Sequence, residues 1–227
     1  MFRTGWATRE AAIDARTQLL ALAAKECFDD IDPENLSITE GMIHLASEPR
    51  SNRGVSFSEV LNLIRSDAGG QISSITGQPR DPMPPSLSFA RQYAVQFVEV
   101  EVDTDTGQIK ILDYLALQDS GTVVNPQVLK NQVIGGVICG LGYALYEELK
   151  FDPETGAVLN GNLLDYKLLR PADFPPHAEV VFHESRDPVG PYGARGAGES
   201  PIAAAIPAAS QAVYNAIGVW VDIPMTP

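Results

Sequence analysis

Between Tyr93 and Leu117 the chain alternates apolar and polar residues twice, as AVQFVEVEVD and QIKILDYLAL, on either side of Thr104-Asp105-Thr106-Gly107. A period of two interrupted by a Gly-containing turn predicts a β-hairpin. Upstream, Ala and Leu recur among Arg, Asp, Glu and Lys from Ala7 to about Cys27, which predicts a helix with Gly5 ahead of it. LSIT from Leu36 and MIHLAS from Met42, parted by Glu40-Gly41, predict a second, shorter hairpin. Ser56 and Glu59 have the spacing of a capping box at the head of a helix over FSEVLNLIR. The stretch from Asp67 to Ser88, rich in Gly, Pro and Ser, suits an excursion over a surface or a partner better than a core element.

Downstream of the hairpin, Asn125-Pro126 opens a helix predicted to run to about Leu149. It carries Gly135, Gly136, Gly140 and Gly142, each costing about 1 kcal/mol relative to Ala, so something is expected to pack very close to it. A turn at DPETGAV, an extended HAEVVF and the Gly-rich GPYGARGAGES lead to an apolar helix over PIAAAIPAASQAVYNAIG. The expected class is α+β, mixed sheets packed with helices, with a lobe boundary near residues 88–93 and no internal repeat.

Of the 227 residues, 44% are hydrophobic and 20% charged, enough to bury a core. Lys and Arg number 16 against 29 Asp and Glu, a formal charge of −13, which argues against nucleic acid and anionic membranes as partners. Cys27 and Cys139 lie far apart with no C-x-x-C spacing, which excludes a zinc knuckle, an iron–sulfur cluster and a disulfide framework. Early acids and no long apolar run at the N-terminus argue against a targeting peptide, and VIGGVICGLGYALY falls short of a bilayer span; a cytoplasmic chain is expected.

The chemistry concentrates in the last third. Gly190, Gly193, Gly196 and Gly198 precede Glu199-Ser200-Pro201, with Ser200 expected as N-cap and Pro201 in the first helical turn. Such a start gathers free N–H groups that suit an oxyanion, a phosphate or a carboxylate, although a plain strand-to-helix turn reads the same way. Nucleotide fingerprints fail, because no Gly-Lys-Ser/Thr follows and Pro201 stands where a third Gly is needed. Glu199 is either a partner of the helix dipole or a base aimed into a pocket. His44, His177 and His183 lack ligand spacing, so no protein-ligated metal is expected. Cys139 is expected to pack in the core, Asp119 and Asn125 to serve a turn and a helix cap, and Tyr166 and Lys167 to be structural.

The run from Ala94 to Leu149, then LLDYKLLRPADFPP and GPYGARGAGESP, resembles the molybdopterin-binding subunit of the xanthine dehydrogenase and aldehyde oxidase family. The likeness covers the C-terminal half of that region, here residues 1–227 as a second molybdopterin-binding domain. It implies a molybdenum–molybdopterin cofactor, with a dinucleotide form as one option, and oxidation of an aldehyde or N-heteroaromatic substrate using water as oxygen source. It carries the catalytic base onto Glu199 and cofactor contacts onto Gln132, onto Gly196, Ala197 and Gly198, and onto Arg3, Thr4 and Gly5 as a small polar loop before the first helix. It also implies partners: the N-terminal molybdopterin-binding half, and subunits or domains holding 2Fe-2S clusters and FAD. Two positions depart from the pattern, Cys139 where many members have Gln and Asn131 where Gly usually precedes the mapped Gln. Two other readings stand beside this one: an assembly or scaffold fragment that keeps the fold without cofactor, and a glycine-loop domain for another small anion.

Overall fold

The structure, a computed structural model, describes residues 2–48, 54–67, 74–79 and 91–226. The chain divides into two compact units, Arg3–Pro85 and Ser86–Pro227 with Met1–Phe2.

In the first unit, α1 (Phe2–Cys27) packs Leu19, Leu20, Ala23 and Ala24 against Leu36, Ile43 and Val60. The predicted hairpin forms as β1 (Leu36–Thr39) and β2 (Met42–Leu45), antiparallel, with Glu40 and Gly41 both at positive φ, 53° and 77°. Two consecutive left-handed residues match the right-handed twist of the strands. A third strand, β3 (Val55–Ser56), adds to β2 and leads into α2 (Phe57–Asp67). The capping box forms: Glu59 Oε2 accepts from Ser56 N at 2.7 Å, and Glu59 N donates to Ser56 Oγ at 3.2 Å. Within the predicted excursion, residues 74–79 lie against α1, where Gln18 Nε2 donates to Thr76 O and Gln78 N donates to Asp14 Oδ2. A Cβ on Gly77 would stand 1.9 Å from Ala11 O, so only glycine allows that approach. Most of the rest of that excursion lies outside the described residues.

The second unit is built on a three-stranded sheet. β4 (Tyr93–Val102) and β5 (Ile109–Asp119) form the long hairpin, and β6 (His177–Phe182) adds parallel to β5. One face carries α3 (Pro126–Leu145) and α4 (Ser200–Ile217). Ile111, Tyr114 and Ala116 of β5, Val133, Val137 and Leu141 of α3, and Ala205, Ala209 and Val213 of α4 form one core. Asn125 caps α3 as expected, its Oδ1 accepting from Val128 N at 3.0 Å. The helix stops at Leu145 rather than near Leu149, because Tyr146 N and Glu147 N both turn back to Gly142 O.

The expected close approach along α3 is to α4. A Cβ on Gly136 would stand 2.6 Å from Pro201 Cβ, and one on Gly140 would stand 2.5 Å from Ala205 Cβ. Gly135 has nothing within 4 Å and owes nothing to that contact. Cys139, expected in the core, is exposed, because α3 turns Gly136, Gly140 and Val137 to α4 and the sheet and leaves Cys139 on its far side. By length and mean hydropathy, 1.3, α3 could pass for a membrane span, but 44% of that stretch is buried, as in a core helix.

Candidate functional site

Where β5 ends, Asp119, Ser120 and Gly121 meet the incoming Gly-rich loop. Gly121, at φ 69°, bridges to Ala194; Thr122 N donates to Gly193 O at 2.8 Å and Arg195 N to Ser120 O at 2.7 Å. A Cβ on Gly121 would lie 2.3 Å from Gly193 O, so two backbones touch here because one of the residues lacks a side chain.

Charge holds the same junction. Arg195 Nε donates to Asp187 Oδ2 at 2.9 Å, and its Nη1 to Ser185 Oγ at 3.0 Å and Asp119 Oδ1 at 3.4 Å. Asp187 Oδ1 accepts from Val189 N and Gly190 N, and Asp119 accepts from Gly121 N and the Ser185 hydroxyl. Burial works to raise both carboxyls, but these hydrogen bonds and the Arg195 charge outweigh it and hold each below the usual carboxylate range. Asp119 is the turn residue expected from sequence. Arg195, Asp187 and Ser185 were not singled out by sequence reasoning; the available signal was a charged residue inside a glycine loop, which needs partners if it is to be buried.

Beside the junction lies a cavity of about 280 Å³, with Ser120, Asn125, Gln132, Arg195, Ala197 and Gly198 in its wall. Three predicted contact residues, Gln132, Ala197 and Gly198, therefore share one wall. Gln132 Nε2 donates to Gly198 O at 2.9 Å, tying α3 to the loop. Glu199 lies outside this cavity, in an adjoining open hollow of about 580 Å³ with Gln92, Gly198, Ser200 and Ala203. Gly198 borders both, and nothing lies within 4 Å of where its Cβ would be. Gly196 faces Gln92, whose Nε2 would be 2.9 Å from an added Cβ.

Two expectations need correction. Ser200 is the first residue of α4 rather than its N-cap, which is Glu199, and Glu199 makes no side-chain cap bond. The Ser200 hydroxyl accepts instead from Gln118 Nε2 at 2.9 Å. Arg3, Thr4 and Gly5 are not a loop before the first helix but part of α1, with Thr8 Oγ1 donating to Thr4 O. One glycine costs a helix only about 1 kcal/mol, which the other residues of this 26-residue element offset. These three belong to the other compact unit.

Among the described residues no group of three or more His, Cys, Asp or Glu could hold a metal ion. His177 pairs with Asp113 at 2.9 Å, and that carboxylate raises the imidazole pKa. What the cavity does offer is an apolar lining from Val124, Val128 and Leu129, hydrogen-bonding groups from Ser120, Asn125 and Gln132, and a glycine edge at Gly198 that no side chain of this chain fills. That set suits one face of a hydrogen-bonding heterocycle, the kind of cofactor that the family resemblance implies.

Comparison with known proteins agrees. The molybdopterin cofactor-binding domain family matches residues 1–175. The chain belongs to this family. It is 32% identical over 224 residues to a putative xanthine dehydrogenase molybdenum-binding subunit of Escherichia coli, covering 97% of this chain and 28% of that protein. It is 30% identical over 226 residues to subunit gamma of the 6-hydroxypseudooxynicotine dehydrogenase complex of Paenarthrobacter nicotinovorans, covering 98% of this chain and 28% of the other. Among solved structures it matches quinoline 2-oxidoreductase from Pseudomonas putida 86 with a TM-score of 0.73 and 26% identity, over 96% of this chain and 28% of that one. The chain thus spans under a third of these relatives, and the α+β class is the fold they share.

Proposed function

We propose that residues 1–227 form the second, C-terminal molybdopterin-binding domain of a molybdenum hydroxylase. The enzyme oxidises an aldehyde or N-heteroaromatic substrate with water as oxygen source. The observation that carries this reading is the loop from Ala194 to Ser200, which takes Ala197 and Gly198 along a largely apolar cavity edged by Gln132 and Ser120 and then sets Glu199 at the start of α4. Gln132 and the Gly196–Gly198 backbone would hold the cofactor edge, with Arg195, its charge shared by Asp119 and Asp187, in the same wall. The bound cofactor supplies activation of water and two-electron oxidation of the substrate carbon.

Glu199 takes the proton from the attacking water oxygen. Its carboxylate is exposed and free of capping duty, which suits a group that must receive a proton from something outside the chain. The N-terminal molybdopterin-binding half completes the pocket, and electrons leave through 2Fe-2S and FAD modules on partner subunits or domains. Relatives named for xanthine, quinoline and aldehyde oxidation support both the N-heteroaromatic and the aldehyde class.

Glu199→Gln in the complete enzyme tests the assignment. Molybdenum and pterin content should stay intact while turnover falls roughly 10²–10⁴-fold, the span of general-base catalysis. Loss of cofactor along with activity would make Glu199 a structural residue, and full turnover would move the proton elsewhere. A parent enzyme that carries no cofactor at all would favour the scaffold reading.

A further inference from the structure

Two glutamines stand on the helix-facing side of the sheet, Gln96 opposite Ala116 and Gln118 opposite Ala94 in the β4–β5 register. Both reach the first turn of α4. Gln96 Nε2 donates to Pro201 O at 2.9 Å, while its Oε1 accepts from the Tyr114 hydroxyl. Gln118 Nε2 donates to Ser200 Oγ at 2.9 Å and to Ser120 Oγ at 3.0 Å. Ser120 belongs to the wall of the cavity and Ser200 to the hollow that contains Glu199, so a single amide joins the two.

Gln118 is 1% exposed, and its Oε1 has no hydrogen-bond partner in the chain. For stability alone that is a poor use of a core position, since an apolar side chain of equal length would bury no orphan acceptor. Nor is the start of α4 secured by a cap of its own, because Glu199 makes none. Beside the close contact of Pro201 with Gly136, the pair of amides from the sheet holds Ser200, and with it the direction in which the neighbouring Glu199 leaves the helix.

We propose that Gln118 is a positioning residue for Glu199. It acts through Ser200 by holding the first turn of α4 in register with Ser120 and the cavity. The proposal rests on Glu199 being the base and adds the group that aims it.

The experiment uses the complete enzyme with Gln118→Met, Ser200→Ala and the double variant. Turnover of an N-heteroaromatic or aldehyde substrate is followed with an electron-accepting dye. Molybdenum and pterin content should be unchanged and the thermal midpoint equal to the parent's or higher. The kcat should fall about 10- to 10²-fold, the loss expected from misplacing a catalytic group by an ångström or less, with KM little altered. The acid limb of the kcat/KM profile, which reports the base, should move, and amide exchange at residues 199–203 should quicken. In the Ser200→Ala background, Gln118→Met should cost less than it does alone, because the contact it shares with Ser200 is already gone and only its bond to Ser120 remains to be cut.

A lowered thermal midpoint with cofactor lost in proportion would make Gln118 merely structural and overturn the proposal. So would an unchanged kcat and acid limb with full cofactor. If Glu199→Gln is silent, the base assignment itself falls; if Glu199→Gln is severe while Gln118→Met is silent, only the present proposal does.

Discussion

Arg195 is the residue on which the loop's shape depends, because its guanidinium is shared by Asp187 and Asp119 with all three side chains at 11% exposure or less. Removing it leaves two carboxylates in a half-closed site without their cation. Arg195→Ala should cost about 1.5–3 kcal/mol, the range for a hydrogen bond to a charged group, read as a lower thermal midpoint. The pH dependence has a definite sign. Both carboxyls titrate below their ordinary range when folded, so their stabilisation is complete above the unfolded value, about pH 4, and is lost as pH falls through the folded values. Exchange of the amides at 185–197, corrected for intrinsic rate, should therefore stay slow from neutrality down to about pH 4 and rise below it. In Arg195→Ala the rise should begin at higher pH. A loop equally protected in both proteins at every pH would show that backbone contacts alone hold it.

At the scale of elements, the contact between α3 and α4 converts a costly composition into placement. Gly136 and Gly140 let Pro201 and Ala205 approach α3 closely, and Pro201 lies two residues beyond Glu199. Gly136→Leu should force the helices apart, costing about 1–3 kcal/mol or more, and should disturb the loop at Gly198 through Gln132. Gly135, one residue away, predicts the opposite. Nothing lies within 4 Å of its Cβ position, so Gly135→Ala should raise stability by up to about 1 kcal/mol. Chemical denaturation of the two variants checks both signs together. If Gly135→Ala instead impairs assembly of the complete enzyme, that face of α3 is covered there by another polypeptide.

At the scale of the whole molecule, the sheet's two faces differ in their surroundings. Val98, Val100 and Gln96 face the helices, whereas Tyr93, Val95 and Phe97 alternate onto the outer face, with Phe97 61% exposed. Leu163 and Leu164, beyond α3, are 81% and 79% exposed. A row of exposed apolar side chains along one strand face, as Tyr93, Val95 and Phe97 form, marks an interaction face rather than ordinary solvent-facing chain. Produced by itself, the chain should self-associate with rising concentration in sedimentation velocity and retain little molybdenum. Phe97→Glu should shift it toward monomer with little change in the thermal midpoint, because the side chain is 61% exposed and lies outside the core. A parent chain that stays monomeric throughout would show that the patch is too small to drive association.

Local pattern was enough for the two hairpins, the four helices, the capping box at Ser56 and the Asn125 cap, because each depends on residues within a few positions of one another. The order of motifs along the chain was also enough to point to the family to which it belongs. The sequence could not say which neighbour each glycine of α3 serves, since Gly135 and Gly136 look alike until α4 is laid on one side of the helix. Nor could it reveal that Ser200 is taken by Gln118 across 82 positions, or that Arg195 bridges Asp119 and Asp187. Such contacts follow from which faces the β4–β5 register and the α3–α4 crossing bring together. Burial then makes them binding, because a polar group away from water must find a partner wherever the fold has placed one.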